Sequence, residues 1–362
     1  MGHVVRTAVL AAATVTLVAC SGGASVSPNQ DPSPDRWAAV DSVVRTQIAQ
    51  RGGNGNLTLT VYNRRDERVF EQSYGNFSPD RRVAVASASK LIAGMVLLDV
   101  VATGELSLES TTGNVLGWTL PNRNITLRHL LSFTSGLRSL NNCTSVASIT
   151  LAACAATIGG NNPLAGPGTR FDYGGTHLHV AARMAEVATG QSWQALFRGR
   201  LADKLGLPNE VRFFTLPNQA IGESNPLVAG GLRASAREYG AMLALAFHGG
   251  TKDGVTLANS DLFAQQAREP YPAVVIGNSP YAGATPSFRY GLAGWLECTT
   301  PAQGCDVVSS VGLYGFIPWF DRATGYYATL AMQETAAGAT VFSVRLQQAV
   351  MPFIRLAIRD SD

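Results

Sequence analysis

Ser87-Ala88-Ser89-Lys90-Leu91-Ile92-Ala93-Gly94-Met95-Val96-Leu97-Leu98-Asp99-Val100-Val101-Ala102 sets a hydroxyl and an amine at the head of a stretch that, from Leu91 on, is apolar on every face except at Asp99. A run of this length without a polar stripe is the pattern of a helix buried inside a domain. Residues three apart on a helix have Cβ atoms roughly 5–6 Å apart, so a helix beginning at Ser87 brings the Lys90 amine within reach of the Ser87 oxygen. That pairs a nucleophile with a base. Burial disfavours the ammonium form, so a partly neutral Lys90 is expected, able to accept the serine proton. The helix N-terminus adds a dipole and free N–H groups that suit a developing oxyanion. Ser-x-x-Lys is short, and on the order of one match is expected by chance in a chain of this length. This one stands out because the chain has only three lysines, Lys90, Lys204 and Lys252, and Lys90 lies at the mouth of an apolar helix rather than on a solvated face.

Upstream of this stretch, Trp37, Val40, Val43, Val44 and Ile48 predict an amphipathic helix over Trp37 to Gln50. Leu57 to Tyr62 and Arg68 to Tyr74 read as two strands joined by the polar turn Asn63 to Glu67. Downstream, Gly104 to Phe247 is helical and loop-rich, with Arg128 to Leu131, His177 to Thr189, Trp193 to Leu205 and Ala234 to Phe247 as its helices. Strands return at Tyr290 to Glu297, Asp306 to Val311, Tyr314 to Phe320 and Tyr326 to Met332, and a helix from about Thr340 to Ile358 closes the chain. Strands at both ends with helices between predict an α+β fold: an antiparallel sheet flanked by helices and closed by both termini, with an inserted, mostly helical domain. The expected division is residues 37–104 and 240–362 for the α/β domain and 105–239 for the helical domain.

At the N-terminus, Arg6, the small apolar region Thr7 to Thr16 and Leu17-Val18-Ala19-Cys20 read as an export signal over residues 1–19. Leu17 to Cys20 resembles a bacterial lipobox, which implies cleavage before Cys20 and lipidation of its thiol. Residues 20–36 are mostly Ser, Gly, Pro, Asn and Asp and read as a disordered tether. The expected address is therefore outside the cytoplasm, lipid-anchored to a bacterial membrane facing the periplasm or the exterior. Without Cys20, the cysteines are Cys143, Cys154, Cys298 and Cys305. Four cysteines allow three connectivities; the short loops favour Cys143 with Cys154 and Cys298 with Cys305, with free thiols as the alternative. No Cys-x-x-Cys or His-Glu-x-x-His spacing occurs, and His177 and His179, two apart, would diverge on a helix, so no metal and no cofactor is expected. The formal charge of +3, from 28 basic and 25 acidic residues with no basic block, excludes nucleic acid as an expected partner. An apolar content of 46% in a mature region of roughly 340 residues supports a globular body with a large core.

Four ordered segments, read together, resemble the serine β-lactamase and penicillin-binding protein superfamily, and more narrowly its branch of class C β-lactamase-like hydrolases, D-alanyl-D-alanine carboxypeptidases and related esterases. They are Ala86 to Lys90; Arg128-His129-Leu130-Leu131-Ser132-Phe133-Thr134-Ser135-Gly136-Leu137; Pro167-Gly168-Thr169-Arg170-Phe171-Asp172-Tyr173; and Ala229-Gly230-Gly231-Leu232-Arg233-Ala234-Ser235. The resemblance implies that Ser87 is the acylated nucleophile, Lys90 its base partner and Tyr173 the phenol that moves a proton to or from leaving group and water. An ammonium at Lys90 is expected to lower the phenol pKa. The family's Tyr-x-Asn becomes Tyr173-Gly174-Gly175 here, and its Lys-Thr-Gly or His-x-Gly strand motif is matched to Gly312-Leu313-Tyr314-Gly315-Phe316, with Leu313 in place of the basic residue. The expected oxyanion donors are the backbone N–H groups of Ser87 and Phe316, and Gly175, Leu313, Tyr314 and Gly315 are the expected substrate-binding positions, Gly315 permitting close approach.

These departures disfavour substrates that carry a carboxylate and favour an ester or amide of a more neutral acyl group. The function expected is an exported serine hydrolase working through a Ser87 acyl-enzyme on a small-molecule or peptidoglycan-related ester or amide, whether esterase, β-lactamase-like or D-Ala-D-Ala peptidase-like. The alternative is a catalytically weakened relative that binds cell-wall fragments or a partner protein. Sequons at Asn56, Asn76, Asn124 and Asn142 carry no weight in a bacterial lipoprotein.

Overall fold

In the computed structural model, which describes residues 34–52, 55–281, 288–335 and 338–359, Leu57–Asn63 (β1) lies between the strand that follows it, Arg68–Tyr74 (β2), and the last strand of the chain. The later strands are Arg289–Tyr290 (β3), Trp295–Leu296 (β4), Val307–Ser309 (β5), Ile317–Asp321 (β6) and Tyr326–Met332 (β7). All seven form one antiparallel sheet in the order β2-β1-β7-β6-β5-β4-β3. The register from Leu57 opposite Met332 to Asn63 opposite Tyr326 makes the two ends of the chain neighbours at the centre of the sheet.

The longer helices are α1 (Pro34–Arg51), α2 (Ser89–Ala102), α3 (Thr176–Thr189), α4 (Ala236–Phe247) and α5 (Ala339–Arg359); α4 and α5 pack on the sheet, and α1 packs on α5. Phe70, opposite Val61, stacks on Trp37 of α1 at 5.3 Å, so the row Leu57, Leu59, Val61 faces the layer made by α1 and α5. The other row faces α4: Tyr62 stacks on Tyr327, Tyr327 meets Phe247 at 5.3 Å, and the Thr329 hydroxyl donates to the carbonyl of Ala236. Covered on both faces, β7 is buried at every position. α2 is interior, buried from Ser89 to Val100, and Asp99 is held there by Arg200 at 3.1 Å. A Cβ at Gly94 would lie 2.6 Å from that of Ala293, so this glycine lets α2 settle onto the β3–β4 turn.

Among the described residues three short ladders lie outside the sheet: Val83–Ala84 pairs with Arg233–Ala234, Thr251–Lys252 pairs with Val255–Thr256, and Arg170–Asp172 runs parallel to Val275–Asn278. Disulfides join Cys143 to Cys154 and Cys298 to Cys305. Cys20, the export signal and tether residues 20–33 lie outside the described residues.

Several elements differ from expectation for local reasons. α1 begins at Pro34, so residues 34–36 belong to the helix and not the tether; proline suits a first turn, where its missing N–H has no partner to lose. Tyr290 to Glu297 is not one strand but the hairpin β3–β4, closed by the N–H of Gly291 on the carbonyl of Gly294, with Ala293 at φ 64°. β6 starts at Ile317, because Gly312 to Gly315 is a turn with Gly315 at φ 90°. Trp193 to Leu205 breaks into Trp193–Phe197 and a wider π-type turn, Arg198–Ala202, containing Gly199, a poor helix former. α4 starts at Ala236 and not Ala234, because Ser235 and Glu238 form a capping box there.

Candidate active site

Ser87 sits in a single 3-10 turn, Ala86–Ala88, immediately before α2, one step earlier than a helix beginning at Ser87 would place it. Ala86 has φ 48°, a left-handed conformation that costs a non-glycine residue about 1–3 kcal/mol and persists only where its surroundings hold it. Ser89 is the staple: its hydroxyl donates to the carbonyl of Ala86 at 2.6 Å and accepts from the N–H of Leu232 at 3.0 Å. The Ala229 to Ser235 segment thus backs the turn, and Ser235 then caps α4. With its backbone pinned from behind, Ser87 faces a cleft of about 490 Å³.

Lys90 reaches the same cleft from the first turn of α2, with Nζ 2.8 Å from Ser87 Oγ and 2.8 Å from the carbonyl of Ala229. The side chain is 4% exposed, and burial pushes its pKa down from 10.5 to about 7. Nζ also lies 4.8 Å from the centre of the Tyr173 ring. Tyr173 follows Arg170–Asp172 and is fixed by a reciprocal pair with Asn278, its N–H donating at 2.7 Å and its carbonyl accepting from Asn278 Nδ2 at 2.8 Å. Its ring stacks on Trp295 at 4.9 Å and meets the edges of Phe133 and Tyr290. Burial pushes the phenol up to about 12, against smaller opposing contributions from hydrogen bonds to the Ser87 and Trp295 side chains. The expected lowering by an ammonium is corrected: Lys90, with its pKa near 7, is only about half protonated at neutral pH, and desolvation of the phenol dominates.

The Arg128 to Leu137 segment acts as scaffold. His129 and Thr126 form a capping box on Leu127–Leu131, and Phe133, at φ 58°, supports the Tyr173 ring. On α3, His177 lies between the carbonyl of Asp172 and the Ser135 hydroxyl, both at 2.8 Å, and burial pushes it down to about 4. His179 is buried and pushed down to about 4 for the same reason, beside Asn225. Among the described residues no group of three or more His, Cys, Asp or Glu side chains could hold a metal ion.

After β5, the expectation for Gly315 is corrected. Phe316 is fully buried with its ring 5.2 Å from that of Tyr239, its carbonyl takes the N–H of Gly312 at 2.8 Å, and the cleft wall there consists of Leu313 and Tyr314. Gly315 serves the turn rather than substrate approach: a Cβ on it would collide with Met332. The glycine that allows close backbone approach is Gly312, whose Cβ would run into the carbonyl of Val85, two residues before Ser87. Two residues earlier, Ser310 donates to the carbonyl of Ser87 at 3.1 Å. Ser310-Val311-Gly312, not Leu313-Tyr314-Gly315, therefore lies along Ser87. Gly175 lines the cleft with room to spare, the nearest atom to a Cβ being that of Ala229 at 3.7 Å, whereas a Cβ on Gly174 would run into the carbonyl of Ser139.

Leu140, Ser145, Thr215, Leu216, Pro217, Asn218, Gln219 and Leu227 complete the wall with Leu313, which is 65% exposed. Among the described residues Lys90 is the only side chain in this wall from the usually charged types, Arg, Lys, Asp, Glu and His. The wall segments are a loop at 215–219 and, at 140–145, a stretch ending in the 3-10 turn Asn142–Ser145; apart from Cys143 neither carries a chemical signature in the sequence.

A protein-family profile described as Beta-lactamase matches residues 40–343. Penicillin-binding protein 4 of Amycolatopsis lactamdurans is 33% identical over 145 residues, 37% of this chain and 36% of that protein, so the match spans little more than a third of that relative's length. A crystal structure from Bacteroides dorei, described as a candidate beta-lactamase, superposes with TM-score 0.76 at 27% identity, covering 87% of this chain and 98% of that one. A penicillin-binding protein homologue from Caulobacter crescentus superposes with TM-score 0.66 at 17% identity over 88% and 98% of the two chains, a likeness of fold.

Proposed function

Because the chain belongs to the beta-lactamase family, we propose that it is an exported serine hydrolase that forms an acyl-enzyme on Ser87 and acts on esters or amides with neutral acyl groups. The observation that carries this reading is the Lys90 amine, 2.8 Å from Ser87 Oγ and with its pKa lowered to about 7 by burial. Neutral Lys90 takes the Ser87 proton as Oγ attacks the carbonyl carbon. The oxyanion is stabilised by backbone N–H groups, for which Ser87 and Leu313, the residue after Gly312, are the candidates. Tyr173, with its pKa near 12, holds its proton at neutral pH and so serves as acid, giving it to the departing alkoxide or amine and recovering one from Lys90. Water then attacks the acyl carbon while the same pair removes its proton, and Ser87 is restored.

Neutral substrates fit because a carboxylate drawn into this cleft would lose hydration and find no free cation to replace it. The two disulfides suit an oxidising compartment. A lipid anchor at Cys20 is part of the proposal; detergent-phase partition that survives Cys20→Ser would remove it.

A fluorophosphonate probe should label the protein covalently, and Ser87→Ala should abolish the label. Hydrolysis of 4-nitrophenyl butyrate should exceed that of nitrocefin. No label and no turnover would instead favour a weakened relative that binds cell-wall fragments or a partner protein.

A further inference from the structure

Across the mouth of the cleft three neutral side chains form a directed relay. Gln333 Nε2 donates to Asn218 Oδ1 at 3.0 Å, and Asn218 Nδ2 donates to the Tyr314 phenol oxygen at 2.8 Å. The first bond fixes which end of the Asn218 amide faces Tyr314. A phenol that accepts in this way still has its own O–H to donate, and that proton cannot point back along the bond it receives. Asn218 and Tyr314 both line the cleft that contains Ser87.

The two members of the relay that line the cleft are anchored. Asn218 sits in a tight loop closed by Leu216 and Ile221, each bonding the other, with Arg233 donating to the carbonyl of Pro217 at 2.6 Å. Tyr314 sits in the turn before β6; its carbonyl takes the N–H of Glu334, and the Thr340 hydroxyl donates to the carbonyl of Leu313 at 2.9 Å. A donor held from both sides loses little freedom when a ligand binds.

We propose that Tyr314, oriented by Asn218 and Gln333, is a specificity-determining donor for a neutral acceptor on the substrate, an amide or ester carbonyl a few atoms from the scissile bond, as in an N-acylated amino ester. Leu140, Leu216, Leu227 and Leu313 supply apolar wall for the aliphatic part of the same molecule. The inference rests on the Ser87 reading for which bond is cut, but not for binding.

Two esters with the same leaving group separate the contributions: N-acetyl-L-alanine 4-nitrophenyl ester carries the second acceptor, and 4-nitrophenyl butyrate lacks it. Tyr314→Phe should lower the preference for the first over the second, as a ratio of kcat/KM, by about tenfold, expressed mainly in KM. Asn218→Ala, which frees the phenol to rotate, should lower it by about threefold. The double variant should be no worse than Tyr314→Phe alone, since Asn218 acts through Tyr314. An unchanged ratio in Tyr314→Phe, or additive losses in the double variant, would overturn the proposal. Equilibrium binding of the two esters to Ser87→Ala, with and without Tyr314→Phe, reads the same preference without turnover. If the wild type cleaves neither ester while Ser87→Ala still binds them with this preference, and loses it in Tyr314→Phe, the serine reading falls and this one stands.

Discussion

With Nζ 2.8 Å from Ser87 Oγ and its pKa brought to about 7 by burial, Lys90 releases on folding a proton that the unfolded chain retains, throughout the window from about pH 7 to 10.5. The sign follows directly: the unfolded state binds more protons there, so stability rises with pH across the window, and the penalty is fully present below it. Lys90→Met removes the penalty together with the base. Thermal unfolding at pH 7 should therefore show a Tm higher by about 2–4 °C in that variant, with ester turnover lost; a lower Tm would contradict the account. In the wild type, kcat/KM should climb with pH through an inflection near 7, as the amine becomes neutral. The Tyr173 phenol, near 12, should add no falling limb below about pH 10. The pairing of Ser87 with Lys90 was readable from residue types and spacing, whereas Tyr173 entered only through the family resemblance; its ring centre lies 4.8 Å from Lys90 Nζ. The direction of the Tyr173 shift was not readable, because it depends on the Trp295, Phe133 and Tyr290 rings that the fold brings around the phenol.

At the scale of elements, legibility tracked length and signal. α2 was evident from its apolar run and β1 from its alternation. The β3–β4 hairpin was hidden because two-residue strands carry no period, and its turn is set by contacts that Leu292 and Ala293 make with Gln266 and Leu131, distant in sequence. The end of β5 was misread because two glycines drew the motif to Gly315. The spacing Ser310-Val311-Gly312 keeps the basic-x-Gly interval with an uncharged first residue, which leaves no mark beyond the interval itself. The disulfides separate stability from function at this scale. Cys143 lies in the segment that carries Leu140 and Ser145 of the cleft wall, whereas the Cys298–Cys305 loop follows β4 and contributes nothing to that wall. Replacing either pair by serine should lower unfolding stability by about 2–3 kcal/mol. Only the Cys143 and Cys154 replacement should also raise KM; equal kinetic effects from the two would show that the first bridge has no special hold on the cleft.

Over the whole molecule the charges are spent away from the reaction. Arg237 is paired with Glu71 and Asp80, Arg212 with Glu223, and Arg200 with Asp99 and Glu105. Among the described lysines and arginines, Lys90 alone lines the cleft, and with its pKa near 7 it is a poor fixed anion site at neutral pH. If the absence of a fixed cation is what turns this scaffold from carboxylate-bearing substrates to neutral ones, then supplying one should turn it back. Leu313 is the position to use, because it is exposed on the cleft wall just past Gly312 and its side chain supports no core packing. Leu313→Arg should raise kcat/KM for nitrocefin relative to 4-nitrophenyl butyrate by about tenfold, most of it in KM and less at high salt. A variant that folds, retains butyrate hydrolysis and shows no such gain would place the cause of discrimination in the shape of the cleft, with Gly175 as the next residue to change.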